Sequence, residues 1–193
     1  VCPIADGTAP GTGFSYLVPS FVDISASGTL ITSWEQNADD GWFVVPLPFT
    51  FPYFGLNEQV MHIGTNGYIT FGAGHFAFGN SEPFPGTVNG PVDGVIGVYW
   101  ADINPAASDA DGAGVYYQAF GTDSMVVLFN DVVYWTPNND PTTNTFEVIL
   151  FPSGGFLLAY PEMGDTDGVL SWSQESVGYE NQDGSVGVQI SYD

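Results

Sequence analysis

Residues 43–72 read FVVPLPFTFPYFGLNEQVMHIGTNGYITFG, and the turn inside that stretch decides how the chain folds. Met61 and Ile63 alternate before the turn, Ile69 and Phe71 after it. A two-residue Asn66-Gly67 turn would pair position 64 with 69 and split the four apolar residues between opposite faces. A three-residue loop, Thr65-Asn66-Gly67, pairs 64 with 68, 63 with 69 and 61 with 71, and all four then share one face. This register also places Gly67 at the left-handed bulge position, where a missing Cβ removes the steric cost. The sequence therefore predicts a type I turn with a glycine bulge, leaving His62, Gly64, Tyr68 and Thr70 on the outer face. Upstream, Pro46, Pro48 and Pro52 each lack a ladder donor, which predicts an edge strand or a corner.

The pattern extends along the chain. Short apolar runs punctuated by 25 glycines and 14 prolines, with no sustained helical period, predict an all-β fold. We expect an antiparallel β-sandwich, jelly-roll-like, with long loops. Strand pairs are predicted over 115–120 with 125–135, 145–151 with 156–160, and 177–181 with 186–192, besides short strands at 16–24, 29–34, 95–103 and 169–172. The 193 residues, 44% hydrophobic, suffice for one sizeable core. Residues 1–14, VCPIADGTAPGTGF, are small and unpatterned and read as an arm or linker, with a single domain over 15–193. Residues 73–92 form a long loop carrying Phe76, Phe78 and Phe84, a length at which loops are functional or packed on themselves.

Charge excludes several functions. The chain has no Lys and no Arg against 22 Asp plus Glu. No salt bridge to a lysine or arginine can form within it. Nucleic acid is not an expected partner, because phosphate contacts come mainly from those two residues. An anionic membrane surface is disfavoured, and no run is apolar enough to predict membrane insertion. A net charge of −22 repels itself unless cations or salt intervene. Trypsin-like proteases find no cleavage site, which suits an extracellular or cell-surface life. Halophilic acidity is the rival explanation, but it comes with more than the 11% charged residues found here. The single cysteine, Cys2, cannot bridge within the chain; it is a candidate for an intermolecular disulfide or an ordinary free thiol. Val1-Cys2-Pro3 lacks a basic and apolar leader, so the chain reads as a mature form or a fragment.

Catalytic signals are weak. Two histidines, His62 and His75, and no GxSxG elbow argue against a serine triad, and with one cysteine a Cys/His zinc site is not expected. Glu147 and Glu180 sit mid-strand and are the only carboxylates suited to a hydrolase pair, but alternation with apolar neighbours predicts a solvent-facing position for each. Two DxDG segments are better candidates. Asp109 and Asp111 follow Asp102 and Asn104, and Asp165 and Asp167 follow Glu162. Oxygen ligands at this spacing with a wrapping glycine suit Ca²⁺, although neither segment completes an EF-hand loop, and an ordinary Asx-stabilised turn is the simpler explanation. Among the aromatics, Trp135, with Tyr134 beside it, is the candidate for stacking on a sugar, since it borders the polar loop TPNNDPTT.

Four pieces in order carry a resemblance: PFTFPYFG with IGTNGYITFG, then VIGVYWADIN, NTFEVILFPSGG and VGYENQDGSVGVQI. Together, over about residues 20–192, the chain resembles the nidogen-like (NIDO-type) extracellular β domain, and is most similar to versions in large secreted and surface proteins of bacteria. The resemblance implies an all-β, secreted, non-catalytic module of adhesion or matrix proteins, with no catalytic motif to carry over. The missing Lys and Arg depart from ordinary members. The expected function is a structural or adhesive extracellular module, in its specific form a self-assembling subunit of a surface fibre or matrix. Its partners would be further copies or other extracellular proteins and glycans, and the N-terminal arm would reach a neighbour's sheet edge. A Ca²⁺-assisted carbohydrate-binding module and a carboxylate-dependent hydrolase are the alternatives.

Overall fold

The computed structural model of the protein describes residues 2–6, 14–17, 20–79, 83–86, 92–135, 142–164 and 175–192, the first two segments by backbone alone. Among these residues there is no helix, and the strands form two antiparallel sheets packed face to face. In one sheet the order is β2 (Phe14–Leu17), β1 (Cys2–Asp6), β13 (Gly155–Glu162), β12 (Thr143–Leu150), β11 (Ser124–Tyr134), β10 (Gly114–Phe120) and β3 (Thr29–Leu30), with β9 (Ile103–Asn104) also paired to β11. In the other it is β15 (Gly187–Tyr192), β14 (Ser176–Glu180), β8 (Val95–Trp100), β7 (Tyr68–Thr70), β6 (Leu56–Gly64), β5 (Gly41–Tyr53) and β4 (Glu35–Gln36). The expected antiparallel sandwich is thus the fold.

The hairpin has the three-residue register. Gly64 pairs with Tyr68, Ile63 with Ile69 and His62 with Thr70, and Gly67 takes φ +77°. Met61, Ile63, Ile69 and Phe71 all point into the core between the sheets, with Val45, Phe51 and Tyr53 from β5 and Phe129, Phe146 and Val148 from the facing sheet. Phe129 and Phe146 stack with ring centres 4.7 Å apart, and Phe51 lies 5.3 Å from Phe71. Such rings remove large apolar areas from water and favour closing the sandwich. The prolines of β5 fall where a missing N–H is tolerated. The strand pairs with β6 on one side, while β4 covers only Gly41 and Trp42 on the other.

Three parts of the chain depart from the simplest reading of the strands, two through covering loops and one through an added strand. His62, Gly64, Tyr68 and Thr70 do not face solvent: Tyr68 and Thr70 are fully buried, and His62 is half-buried. The loop after β7 lies over them. Tyr68 donates its hydroxyl to the His75 carbonyl (2.8 Å), Thr70 to the Ala73 carbonyl (2.5 Å), and Tyr68, Phe84, Val92, Val95 and Trp100 form a second apolar cluster. The Phe84 ring lies over the glycines of two adjacent strands; a Cβ at Gly97 or Gly178 would approach it to 2.8 or 2.4 Å. The expected strand at 16–24 ends at Leu17, and residues 20–28 instead cross the outer face of the first sheet. Cys2–Asp6, expected within a free arm, is a strand of this chain's own sheet, with Ile4 opposite Leu157. The expected strand at 169–172 lies outside the described residues.

Gly67 tests the register argument. A Cβ there would sit 2.0 Å from the Tyr99 carbonyl oxygen, in addition to the left-handed φ. Gly67→Ala should lower the unfolding free energy by about 2–4 kcal/mol in urea titration, whereas an exposed turn glycine with open space, such as Gly121, should lose only about 1 kcal/mol.

Candidate cation site at the hairpin tip

The turn at Thr65–Gly67 ties three segments together at one end of the sandwich. Thr65 exchanges hydrogen bonds with Gly41: its N–H donates to the Gly41 carbonyl, and its Oγ1 accepts the Gly41 N–H, both at 3.0 Å. The Gly67 carbonyl accepts N–H groups of Val98 and Tyr99. Asn66 is fully buried and uses both ends of its amide. Its Oδ1 accepts the Ile103 N–H (2.7 Å), and its Nδ2 donates to Asp40 Oδ1 (3.0 Å) and to the Ala77 carbonyl (3.2 Å). One side chain therefore fixes the loop before β5, the loop after β7 and the exit of β8.

These links bring carboxylates together. In the loop between β4 and β5, Asn37 Oδ1 accepts the N–H groups of Asp39 (2.8 Å) and Asp40 (2.7 Å), an Asx turn that folds the acidic pair back on itself. Asp102 follows β8 and is held by the Trp135 N–H on its carbonyl (2.9 Å). Carboxylate oxygens of Asp39, Asp40 and Asp102 lie within 4.8 Å of one another, and all three residues are half-buried. Asp39 Oδ1 is shielded from solvent and accepts no hydrogen bond from the described residues. Burial, reinforced by Asp40 and Asp39, pushes Asp102 up to about 6; burial, reinforced by Asp40, raises Asp39. Like charges crowded in a half-dry site favour either a shared proton or a hard cation that accepts their oxygens as ligands. No lysine or arginine exists in the chain to take that role.

Of the residues expected to bind metal, Asp102 belongs to this group, while the Oδ1 of Asn104 accepts the Ala106 N–H (3.1 Å). Asp109 and Asp111 are exposed and outside the group. Their segment is a turn, in which the Gly112 carbonyl accepts the Tyr116 hydroxyl and the Asn130 amide, both at 2.9 Å. Asp165 and Asp167 lie outside the described residues. Asp39 and Asp40 were not among the candidates; the available signal was an Asx-turn asparagine, Asn37, ahead of two adjacent aspartates.

The aromatic candidates separate. Trp135 is 38% exposed, at the residue whose amide holds Asp102. Tyr134 is buried in the core, its hydroxyl hydrogen-bonded to that of Tyr99, so it offers no stacking face. Phe76 and Phe78 flank Ala77 and are 57% and 56% exposed, with Phe76 stacked on Trp42 at 6.4 Å. Cys2 has its backbone in β1, opposite Leu17.

The two strand glutamates are not solvent-facing as expected. Glu147 is buried on the outer face of the first sheet beneath residues 20–28, its Oε1 accepting the Val22 N–H. Glu180 is buried on the outer face of the other sheet, its Oε2 accepting the Gly86 N–H (2.6 Å). Phe146 and Val148 beside the one, and Tyr179 beside the other, point into the shared core, so the two carboxyls face away from each other across the whole sandwich. They cannot flank one scissile bond as an acid–base pair.

Comparison with curated proteins brought no match, and neither did comparison with solved structures. A family model described as NIDO related matches residues 14–193, from β2 through the last strand and across every element of the carboxylate group. By that match the chain belongs to the NIDO-related family.

Proposed function

We propose that the protein is a non-catalytic extracellular structural or adhesion module, a subunit that self-associates into a surface fibre or matrix, and that Ca²⁺ bound by Asp39, Asp40 and Asp102 stiffens its loop end. The family supports the extracellular setting, since nidogen-like domains are usually extracellular, and among the described residues no helix is long and apolar enough to cross a membrane. The observation that carries the calcium reading is the meeting of three carboxylates within 4.8 Å, one with an unpartnered oxygen, in a chain without Lys or Arg. A divalent cation there would neutralise the group, lock the Asx-turn loop onto the exit of β8, and lower the repulsion that opposes association of chains carrying −22. Val44 and Val60 are exposed on the outer face of β5 and β6, which supplies apolar area for contacts between copies.

Trp135 favours a second reading, a Ca²⁺-assisted carbohydrate-binding module. An exposed indole and a hard cation on neighbouring backbone positions offer a sugar both a stacking face and a ligand for its hydroxyls.

Calcium titration of the purified chain should raise the melting temperature saturably, with stabilisation of about 2.7 kcal/mol at a hundredfold excess over Kd, and Asp40→Asn or Asp102→Asn should weaken binding at least about tenfold. An unchanged melting temperature and no binding heat would remove the calcium reading. Electron microscopy with calcium and with chelator, run alongside a glycan array under the same two conditions, distinguishes the functions. Calcium-dependent filaments or particles support the structural module. Calcium-dependent glycan binding by a monomer, lost in Trp135→Ala, supports the carbohydrate reading and overturns the structural one.

A further inference from the structure

Residues 20–28 form a strap across the outer face of the first sheet. Phe21, Val22 and Ile24 pack on Tyr116, Val126, Leu128, Ile149 and Leu157. At the downstream end the strap turns through Gly28 N–H to the Ile24 carbonyl (2.7 Å) and is tethered by the Ser27 hydroxyl to Gln118 Oε1 (2.8 Å). Within this apolar row sits Glu147, whose cross-strand neighbours are Leu128 and Ala159. It is 0% exposed. Its Oε1 accepts the Val22 N–H at 3.0 Å, and its Oε2 has no partner among the described residues.

A buried carboxylate with one bare oxygen is tolerated when a cation, further donors or a proton compensate it. Among the described residues the first two are missing. Leu128 on β11 and Ala159 on β13 face it, Thr145 and Ile149 flank it on β12, and the one charged group contributed by the strap is Asp23. Asp23 is itself an anion, held low by the Ser25 hydroxyl (2.6 Å) and N–H (2.9 Å) on its Oδ1.

We propose that the strap is a proton-operated latch, closed over protonated Glu147 and released when that carboxyl ionises, which bares the apolar row on β10–β13. Burial, opposed by the Val22 N–H and aided by Asp23, raises Glu147 to about 7. In the open form the carboxyl returns to water and to its ordinary value near 4.5. The closed form therefore binds the extra proton between these values. Its advantage is complete below the open-form value and is lost as pH rises through the closed-form value, a change of about 300-fold in the closing equilibrium. Glu147 lies on the opposite sheet from β5–β8, so the latch works independently of cation binding at Asp39, Asp40 and Asp102.

Hydrogen exchange of the full chain from pH 5 to 8.5, corrected for the intrinsic dependence of exchange on pH, tests this. Protection over residues 20–24 should fall by about 70-fold while β6 and β7 amides stay unchanged. Glu147→Gln keeps the acceptor for Val22 and mimics the protonated acid, so its strap should stay protected throughout. Corrected protection of the wild-type strap that does not vary with pH overturns the proposal, as does a Glu147→Gln variant that loses protection in parallel with wild type. Should that variant fail to fold, carbon-13 titration of the Glu147 carboxyl in the wild-type chain decides: a midpoint between about 6 and 8 upholds the latch, and any lower midpoint overturns it.

Discussion

A buried carboxylate in this chain has no lysine or arginine to meet, because none exists, and every acidic group taken out of water must be compensated some other way. Three different solutions appear. Glu180 is buried where the loop after β7 returns to the sheet, and its Oε2 receives the Gly86 N–H, so a backbone donor stands in for a cation. Glu147 receives one N–H from Val22 and is left with a bare oxygen, which shifts it toward its protonated form. Asp39, Asp40 and Asp102 crowd together with a single amide donor from Asn66 on Asp40, the arrangement of the three that most resembles ligands awaiting a cation.

The same constraint shapes the fold. Polar anchoring that other proteins obtain from ion pairs falls here to buried amides and hydroxyls. Asn66 joins three segments with one side chain. The Tyr53 hydroxyl sits 2.8 Å from the Val95 carbonyl and 2.9 Å from that of Glu180, and Tyr160 donates to the Val98 carbonyl at 2.5 Å. Each satisfies a carbonyl inside an apolar interior, where an orphaned acceptor costs about 1–3 kcal/mol. Aromatic residues thus supply the core's bulk and much of its polar stitching, which fits a chain that is 16% aromatic and only 11% charged.

Much of the sandwich was legible. Met61, Ile63, Ile69 and Phe71 could share a face in only one of the two registers weighed, and that register is observed. Pro46, Pro48 and Pro52 marked a strand with little pairing on one side. The pairings of β10 with β11, β12 with β13 and β14 with β15 followed from alternating runs around Gly-rich turns. The candidate site was half legible: Asp102 and Trp135 were singled out, Asp39 and Asp40 were not. Tyr134 and Trp135 looked alike in sequence, yet one lies in the core and the other at the surface, because the strand ends between them.

Taken alone, the sequence determined the fold class, the hairpin register and the absence of any Lys or Arg, since these rest on side-chain period, on the conformational freedom of Gly67 and on composition. Tertiary structure decided which outer faces stay open. Period-two alternation separates the two sides of a strand but cannot tell a side facing water from one covered by a loop, and residues 20–28 and the loop after β7 cover two such faces. For that reason Glu147 and Glu180 are buried against expectation, and Tyr68 is buried on the hairpin's outer face. Tertiary structure also decided which carboxylates meet. Asp39 and Asp40 reach Asp102 only because the buried Asn66 amide binds Asp40 with one end and the Ile103 N–H with the other, a contact between segments far apart in the chain.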